Sequence, residues 1–409
     1  MTTKIMTGLF MCLYLYAISL GVFMTDLFRL PAPLLFCLPL VFLFKCRERA
    51  DGSYINEVML LALGAFLFYA VGLADLTAFI ANSLCMVLCA AYFYFFVGGE
   101  QPRLHRSIVV FFLLLGISGA VMVLNHLYGA SVDSVREQVL GEEVMQSPSG
   151  LSTSQFVFGY QVAAFCTMLF VASVVYRQPV YLQLLAFAIC IALLLLGMQR
   201  SAFIAFSIAT VIFLVAYYRY KGVFAIGALV LACFLLYHFY LQFQLDGIEN
   251  IITKNEHNDA ASNRSSLSGE NLRIYLDYPY GLVFYGKNWA DVIYRNQVFS
   301  AGITSHNAYL MFFTYLGPFL GLGLLAMIYR RPVQIMLRVI SAVREPENRL
   351  LVCLGFSFLA TSINALSHNP WLISSDGPTL FLYFALLHTW SARQQTAAYR
   401  TPATSFAHA

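Results

Sequence analysis

Charged residues are scarce in this sequence. Asp, Glu, Lys and Arg make up 11% of its 409 residues, where a soluble chain carries roughly 25%. That shortfall excludes an ordinary water-soluble domain. Paired cysteines are missing too. All nine (12, 37, 46, 85, 89, 166, 190, 233 and 353) lie in apolar runs or beside a basic loop, so neither a disulfide framework nor zinc spacing is visible. There is no D-x-D pair to hold a metal on a nucleotide sugar, no H-E-x-x-H and no P-loop. No couple of carboxylates stands out for glycoside hydrolysis. No clear internal repeat or heptad is found. The Lys and Arg residues gather in short loops, and no nucleic-acid partner is expected.

What is abundant is apolar: 60% of the chain is hydrophobic. Apolar runs long enough to cross a ~30 Å hydrocarbon core recur from end to end. The reading is an all-α polytopic membrane protein, one integral membrane domain over residues 1–409 in a lipid bilayer. Twelve spans are expected, at about 5–24, 28–44, 58–74, 77–97, 107–127, 156–176, 180–198, 202–218, 222–241, 308–329, 350–367 and 377–392. Residues 5–24 read as the first span, with Lys4 holding its start inside, rather than as a cleavable signal peptide.

An even count puts both termini on one side, and basic loops say which. Lys4, Lys45, Arg47, Arg49, Arg103, Arg106, Arg177, Arg219, Lys221, Arg330, Arg331, Arg338, Arg344, Arg349, Arg393 and Arg400 fall on the terminal face. Cationic loops stay in the cytoplasm, so both termini are expected there. Two segments on the outer face are too polar to span, 128–155 and the long loop 241–307. A loop that long usually has a function. Within it, 274–278 and 289–294 are expected to form short helices on the membrane, and Ser262–Gly269 reads as flexible.

Three places carry candidate chemistry. Arg200 sits between two apolar runs joined by almost no loop. It either snorkels to the interface or binds an anion inside the bundle, where a planar guanidinium grips phosphate bidentately. Arg264 and Arg273 lie in the long loop and are either solvated charges or further anion ligands. Near them, Tyr280, Tyr285 and Trp289 either anchor at lipid headgroups or offer flat faces to sugar rings. His306 opens the tenth expected span directly after that loop, which places a titratable imidazole at the edge of the bilayer. There it is suited to accept a proton from a sugar hydroxyl. Asn307 either assists it or only caps the helix. His126, His238 and His368 are weaker candidates, though His368 precedes an outer turn and is placed to line the same cavity. Asp26 and Asp75 are read as solvated span ends.

The ordered set is what carries a resemblance: Gln199-Arg200-Ser201 in a span hairpin, Arg264 some fifteen residues before Pro279, then His306-Asn307 opening a span with Gly317 and Gly321. Over about 195–325 this resembles the bacterial O-antigen ligase and O-antigen polymerase-like membrane glycosyltransferases; Arg273 has no counterpart in the pattern. The resemblance implies a GT-C-like, metal-independent enzyme of the inner membrane that needs no cofactor and works at the periplasmic face. Its donor would be a glycan on undecaprenyl diphosphate. Its acceptor would be another glycan, in a polymerase of O-antigen or exopolysaccharide, or lipid A-core, in a ligase of lipopolysaccharide biosynthesis. The His-Asn-Ala-Tyr-Leu context leans toward a polymerase. Contact with a flippase or a chain-length regulator is a further expectation. A polysaccharide flippase or transporter is the alternative from another class. It fits twelve spans, but not the concentration of polar residues in one outer loop.

Overall fold

The computed structural model describes residues 2–22, 32–48, 54–145, 147–152, 154–236, 238, 260–293, 305–369 and 371–400, and no strand occurs among them. Helices α1 (Thr2–Leu20), α2 (Ala32–Leu43), α3 (Ile55–Gly72), α4 (Leu76–Val97) and α5 (Gln101–Tyr128) build the first half. A surface helix, α6 (Ala130–Leu140), leads to α7 (Gln155–Val175), α8 (Val180–Leu196), α9 (Arg200–Tyr218) and α10 (Lys221–Leu236). The long loop contributes α11 (Ala260–Asp277) and α12 (Ala290–Ile293). The chain then runs through α13 (Ala308–Leu316), α14 (Leu322–Ser341), α15 (Arg349–Asn364) and α16 (Gly377–Arg400).

Each segment expected to span thus has helical structure. Among the described residues, six stretches are by length and composition apolar enough to cross a membrane: α3, α4, α5, α7, α9 and the run Ala308–Ser341. Shorter apolar helices cover Lys4–Leu20, Val180–Leu196 and Lys221–Leu231. Their starts follow ordinary capping chemistry. Asp75 accepts from the Ala78 N–H at 2.8 Å and Ser154 from the Val157 N–H at 3.4 Å, satisfying donors that the first helical turn leaves open. Helix α15 forms the centre of the bundle and packs against α7, α9, α14 and α16. Aromatic stacking knits the remainder, as in Tyr14 on Tyr92 at 3.8 Å and Phe111 on Phe381 at 4.0 Å.

The two ends of the bundle differ chemically. At one end, Gln161 of α7 donates to the Ser19 carbonyl of α1, and Gly377 of α16 packs directly on the Ile18 carbonyl. At the other, Arg331 pairs with Glu57, Arg344 donates to the Tyr217 carbonyl at 2.7 Å, and Arg393 meets Glu345 at 3.5 Å. Arg103 donates to the Phe44 and Phe96 carbonyls at 3.0 and 2.8 Å. It thereby neutralises the negative ends of α2 and α4 together. The start of α1 and the end of α16 both lie at this basic end.

The tenth expected span is not one rod. The Tyr309 and Tyr329 hydroxyls are 2.6 Å apart, although twenty residues of straight helix would separate them by about 30 Å. The chain folds back at Gly317–Gly321, where Gly317 has φ +74°. A side chain there is excluded, since a Cβ would stand 1.8 Å from the Tyr280 carbonyl oxygen. Helix α13 and helix α14 are therefore two arms of a V. Both face α3: Phe312 and Tyr315 pack on Phe68, and Arg331 reaches Glu57. With nine residues, α13 is about 13.5 Å long, too short to cross the membrane by itself.

The long loop also differs from expectation. Ser262–Gly269 belongs to α11 instead of being flexible. Leu267, Asn271 and Ile274 recur along one buried stripe, and Asn271 bonds both Ser305, at 3.1 Å, and Thr314. Tertiary partners thus hold a helix that composition alone disfavours. The short helix expected at 274–278 is the end of α11, and that at 289–294 is α12, whose following residue Tyr294 lies outside the described residues. Asp26 lies outside them as well.

Candidate functional site

The polar cluster forms where α7, α9, α13 and α15 begin or end. The turn between α8 and α9 is tight. A Cβ on Gly197 would meet the Leu193 carbonyl and the Phe158 ring at 2.8 Å, and Met198 has φ +52°. This turn sets Gln199, Arg200 and Ser201 at the start of α9, with Gln199 and Ser201 buried and Arg200 half-buried. The Ser201 hydroxyl and His368 Nε2 share a hydrogen bond of 2.6 Å. The His368 ring lies edge-on to Phe156 at 5.2 Å and near Tyr160 at 6.0 Å.

His306 reaches the same cluster from the other side. Its ring stacks on Phe156, with centroids 5.8 Å apart and planes inclined by 24°. Its backbone φ is +51°, an uncommon value for a residue with a side chain. Neighbours on both sides hold it there. Ser305 accepts from Asn271 of α11, and Asn307 Oδ1 caps α13 through the Leu310 N–H at 2.9 Å. The Ala308 N–H is shared between the carbonyls of Ala365 and His368, at 3.1 and 3.0 Å. Phe156 is thus flanked by two imidazoles, one of which bonds the residue next to Arg200.

A second polar group lies one turn away. Asn364, at the end of α15, is fully buried, and neither Nδ2 nor Oδ1 of its side chain has a protein hydrogen-bond partner. Gly159 faces it and Gln199: a Cβ there would stand 3.0 Å from Gln199 Oε1 and 3.5 Å from Asn364 Nδ2. A buried carboxamide without partners is costly, and such groups concentrate where structure yields to function.

The other candidates divide. Arg264 sits on α11 seven residues before Asn271, so its position shares the stripe that faces Ser305; its side chain lies outside the described residues. Arg273 points elsewhere. Its side chain is 79% exposed and pairs with the largely covered Glu270 at 3.3 Å, so its cation faces solvent. Asn307 uses its carbonyl as a cap. Tyr280 is exposed and stacks on Tyr285 and Phe319 at 6.3 Å. Trp289 is buried against Tyr315, with its backbone N–H donating to the Gly72 carbonyl at 3.0 Å. Its indole therefore packs loop to bundle and offers no open face to a sugar. His126 Nε2 bonds the Leu196 carbonyl at 2.6 Å, a structural tie.

His306 itself is displaced from its expected place. It stands at the foot of a half-helix inside the cluster, not at the lip of a spanning helix, because the chain folds back at Gly317. Phe156, Tyr160 and Asn364 escape a reading of the sequence, since each lies in an apolar run with no motif around it. The one available signal for His368 was its place before a polar turn.

Such an arrangement combines a cation for an anionic group, an imidazole for a hydroxyl proton and buried amides for neutral polar groups. Residues 185–329 match the family model described as O-Antigen ligase. The match runs from within α8 into α14 and bears out the resemblance carried by Arg200, Arg264 and His306-Asn307. It excludes Phe156, Asn364 and His368. No curated protein matches the chain.

Proposed function

We propose that this protein is a membrane glycosyltransferase that moves a glycan from undecaprenyl diphosphate to a sugar hydroxyl during O-antigen or exopolysaccharide assembly. One observation supports the reading above others. His306 and Arg200, both within the stretch similar to O-antigen ligases, are brought to one cluster by residues outside it: His306 shares Phe156 with His368, and His368 bonds the residue beside Arg200.

In this reading the acceptor oxygen attacks the anomeric carbon of the donor glycan. The bond from that carbon to the diphosphate oxygen breaks, and undecaprenyl diphosphate leaves. His306 takes the acceptor proton. Arg200, with Arg264 from α11, neutralises the charge that builds on the leaving diphosphate, the role a divalent ion plays elsewhere. A lipid diphosphate suits the periplasmic face, where nucleotide sugars are not expected. Helix α11 meets the cluster through the Asn271 bond to Ser305, and in this reading the glycan leaves toward the periplasm past the long loop. The His306–Leu310 context favours a polymerase over a ligase that uses lipid A-core.

Complementation tests this. A host lacking the protein is given the wild-type or the His306→Ala gene, and its surface glycans are separated on a gel. His306→Ala is expected to give no transfer while still inserting in the membrane. Normal glycans from that variant would remove the catalytic assignment. Unpolymerised single units in the deletion host mean a polymerase, and long chains that never reach lipid A-core mean a ligase. Arg200→Lys keeps the charge and loses the planar fork, so donor use is expected to fall at least about tenfold in a membrane assay with lipid-linked donor. Undiminished donor use would make Arg200 a snorkelling residue.

A further inference from the structure

We propose that His368 is a positioning residue that sets Arg200 against His306. The inference rests on the glycosyltransferase reading, but the residue lies outside the segment similar to O-antigen ligases, which ends at residue 329.

His368 ties together three elements that are remote in sequence. Through Nε2 it bonds Ser201 at 2.6 Å, and Ser201 follows Arg200 at the start of α9. Through its carbonyl it accepts from the Ala308 N–H at 3.0 Å, two residues after His306. Through its ring it meets Phe156 and Tyr160 of α7, and Phe156 carries the His306 ring on its other side. The residue is only 3% exposed, so these contacts are made within the packed interior.

Removing the imidazole has two separable effects. The buried Ser201 hydroxyl loses its partner, which lets the start of α9 and Arg200 shift. The space between Phe156 and Tyr160 opens, which lets Phe156 and the His306 ring on it move. Glutamine at 368 preserves a polar group able to reach Ser201. Phenylalanine fills the ring space and cannot hydrogen-bond. Ser201→Ala removes the same bond from the other side with little change in volume.

The test measures steady-state kinetics with lipid-linked donor and, separately, the affinity of detergent-purified protein for a short-chain prenyl diphosphate by thermal shift. His368→Phe and Ser201→Ala are each expected to weaken prenyl diphosphate binding about tenfold, the size of one lost buried hydrogen bond. Each should raise the donor KM more than it lowers kcat. The double variant should be no worse than either single one, since both break the same bond. His368→Gln should recover most of the affinity.

Wild-type affinity in His368→Phe and Ser201→Ala, alongside weakened binding in Arg200→Lys, overturns the positioning role and leaves the enzyme reading intact. Additive losses in the double variant also overturn it. If Arg200→Lys itself binds prenyl diphosphate normally, or His306→Ala still transfers glycan, the underlying functional reading fails instead. A His368→Phe protein that does not fold leaves Ser201→Ala and its affinity to decide.

Discussion

Asp376 shows how one side chain reports on its surroundings. It precedes α16, accepts from the Thr379 N–H at 3.0 Å and its hydroxyl at 2.5 Å, and is buried. Burial pushes its carboxyl up to about 7, against the opposing pull of the Thr379 bonds. Its pKa is therefore higher folded than unfolded, where about 3.9 applies. The unfolded chain loses this proton first, so stability is expected to fall as pH rises from about 4 to about 7 and to level off above. A shift of this size corresponds to about 4 kcal/mol at most. Asp376→Asn keeps the cap and removes the charge. Melting temperatures of the two proteins in detergent should therefore diverge across that window, with the variant the more stable at pH 8. Parallel curves would mean that Asp376 stays ionised in the fold. Nothing in the sequence marks this carboxylate, because its burial depends on segments remote in the chain: the Ile18 carbonyl of α1, for one, lies against the neighbouring Gly377. His306, Arg200 and Arg264 were legible for a plain reason: a polar group beside an apolar run is anomalous even in one dimension.

Gly317 shows the same at the scale of an element. The apolar run 308–329 reads as one span because hydropathy counts residues and does not see direction. The reversal depends on a left-handed φ at Gly317 and on the Tyr280–Gly281 backbone lying against it. Gly317→Ala is expected to cost at least about 3 kcal/mol, combining overpacking with an unfavourable φ. The checks are the melting temperature and protease sensitivity of α11 in detergent. A variant of wild-type stability would mean that the V does not need its glycine. Helix α11 teaches the complementary lesson. Its Ser- and Gly-containing start suggests flexibility, yet the Asn271 bonds to Ser305 and Thr314 hold its later turns in place.

For the whole molecule, the alternation of basic loops anticipated that the start of α1 and the end of α16 share an end, opposite to the His306 cluster. The positive-inside rule supports the proposal that this basic end faces the cytoplasm. A fluorescent protein fused after the last residue is expected to fluoresce in the cytoplasm. Alkaline phosphatase fused after residue 290 of a truncated chain is expected to be active outside it; the reverse pattern would invert the orientation. The sequence by itself determined that the chain is helical, apolar and polarised end to end, because those properties sum over local composition. Only the tertiary structure decided that His306 meets Phe156, that His368 bonds Ser201 beside Arg200, and that α13 is a half-helix. Each of these depends on contacts between segments far apart in the chain, and neither composition nor spacing specifies which distant side chains will touch.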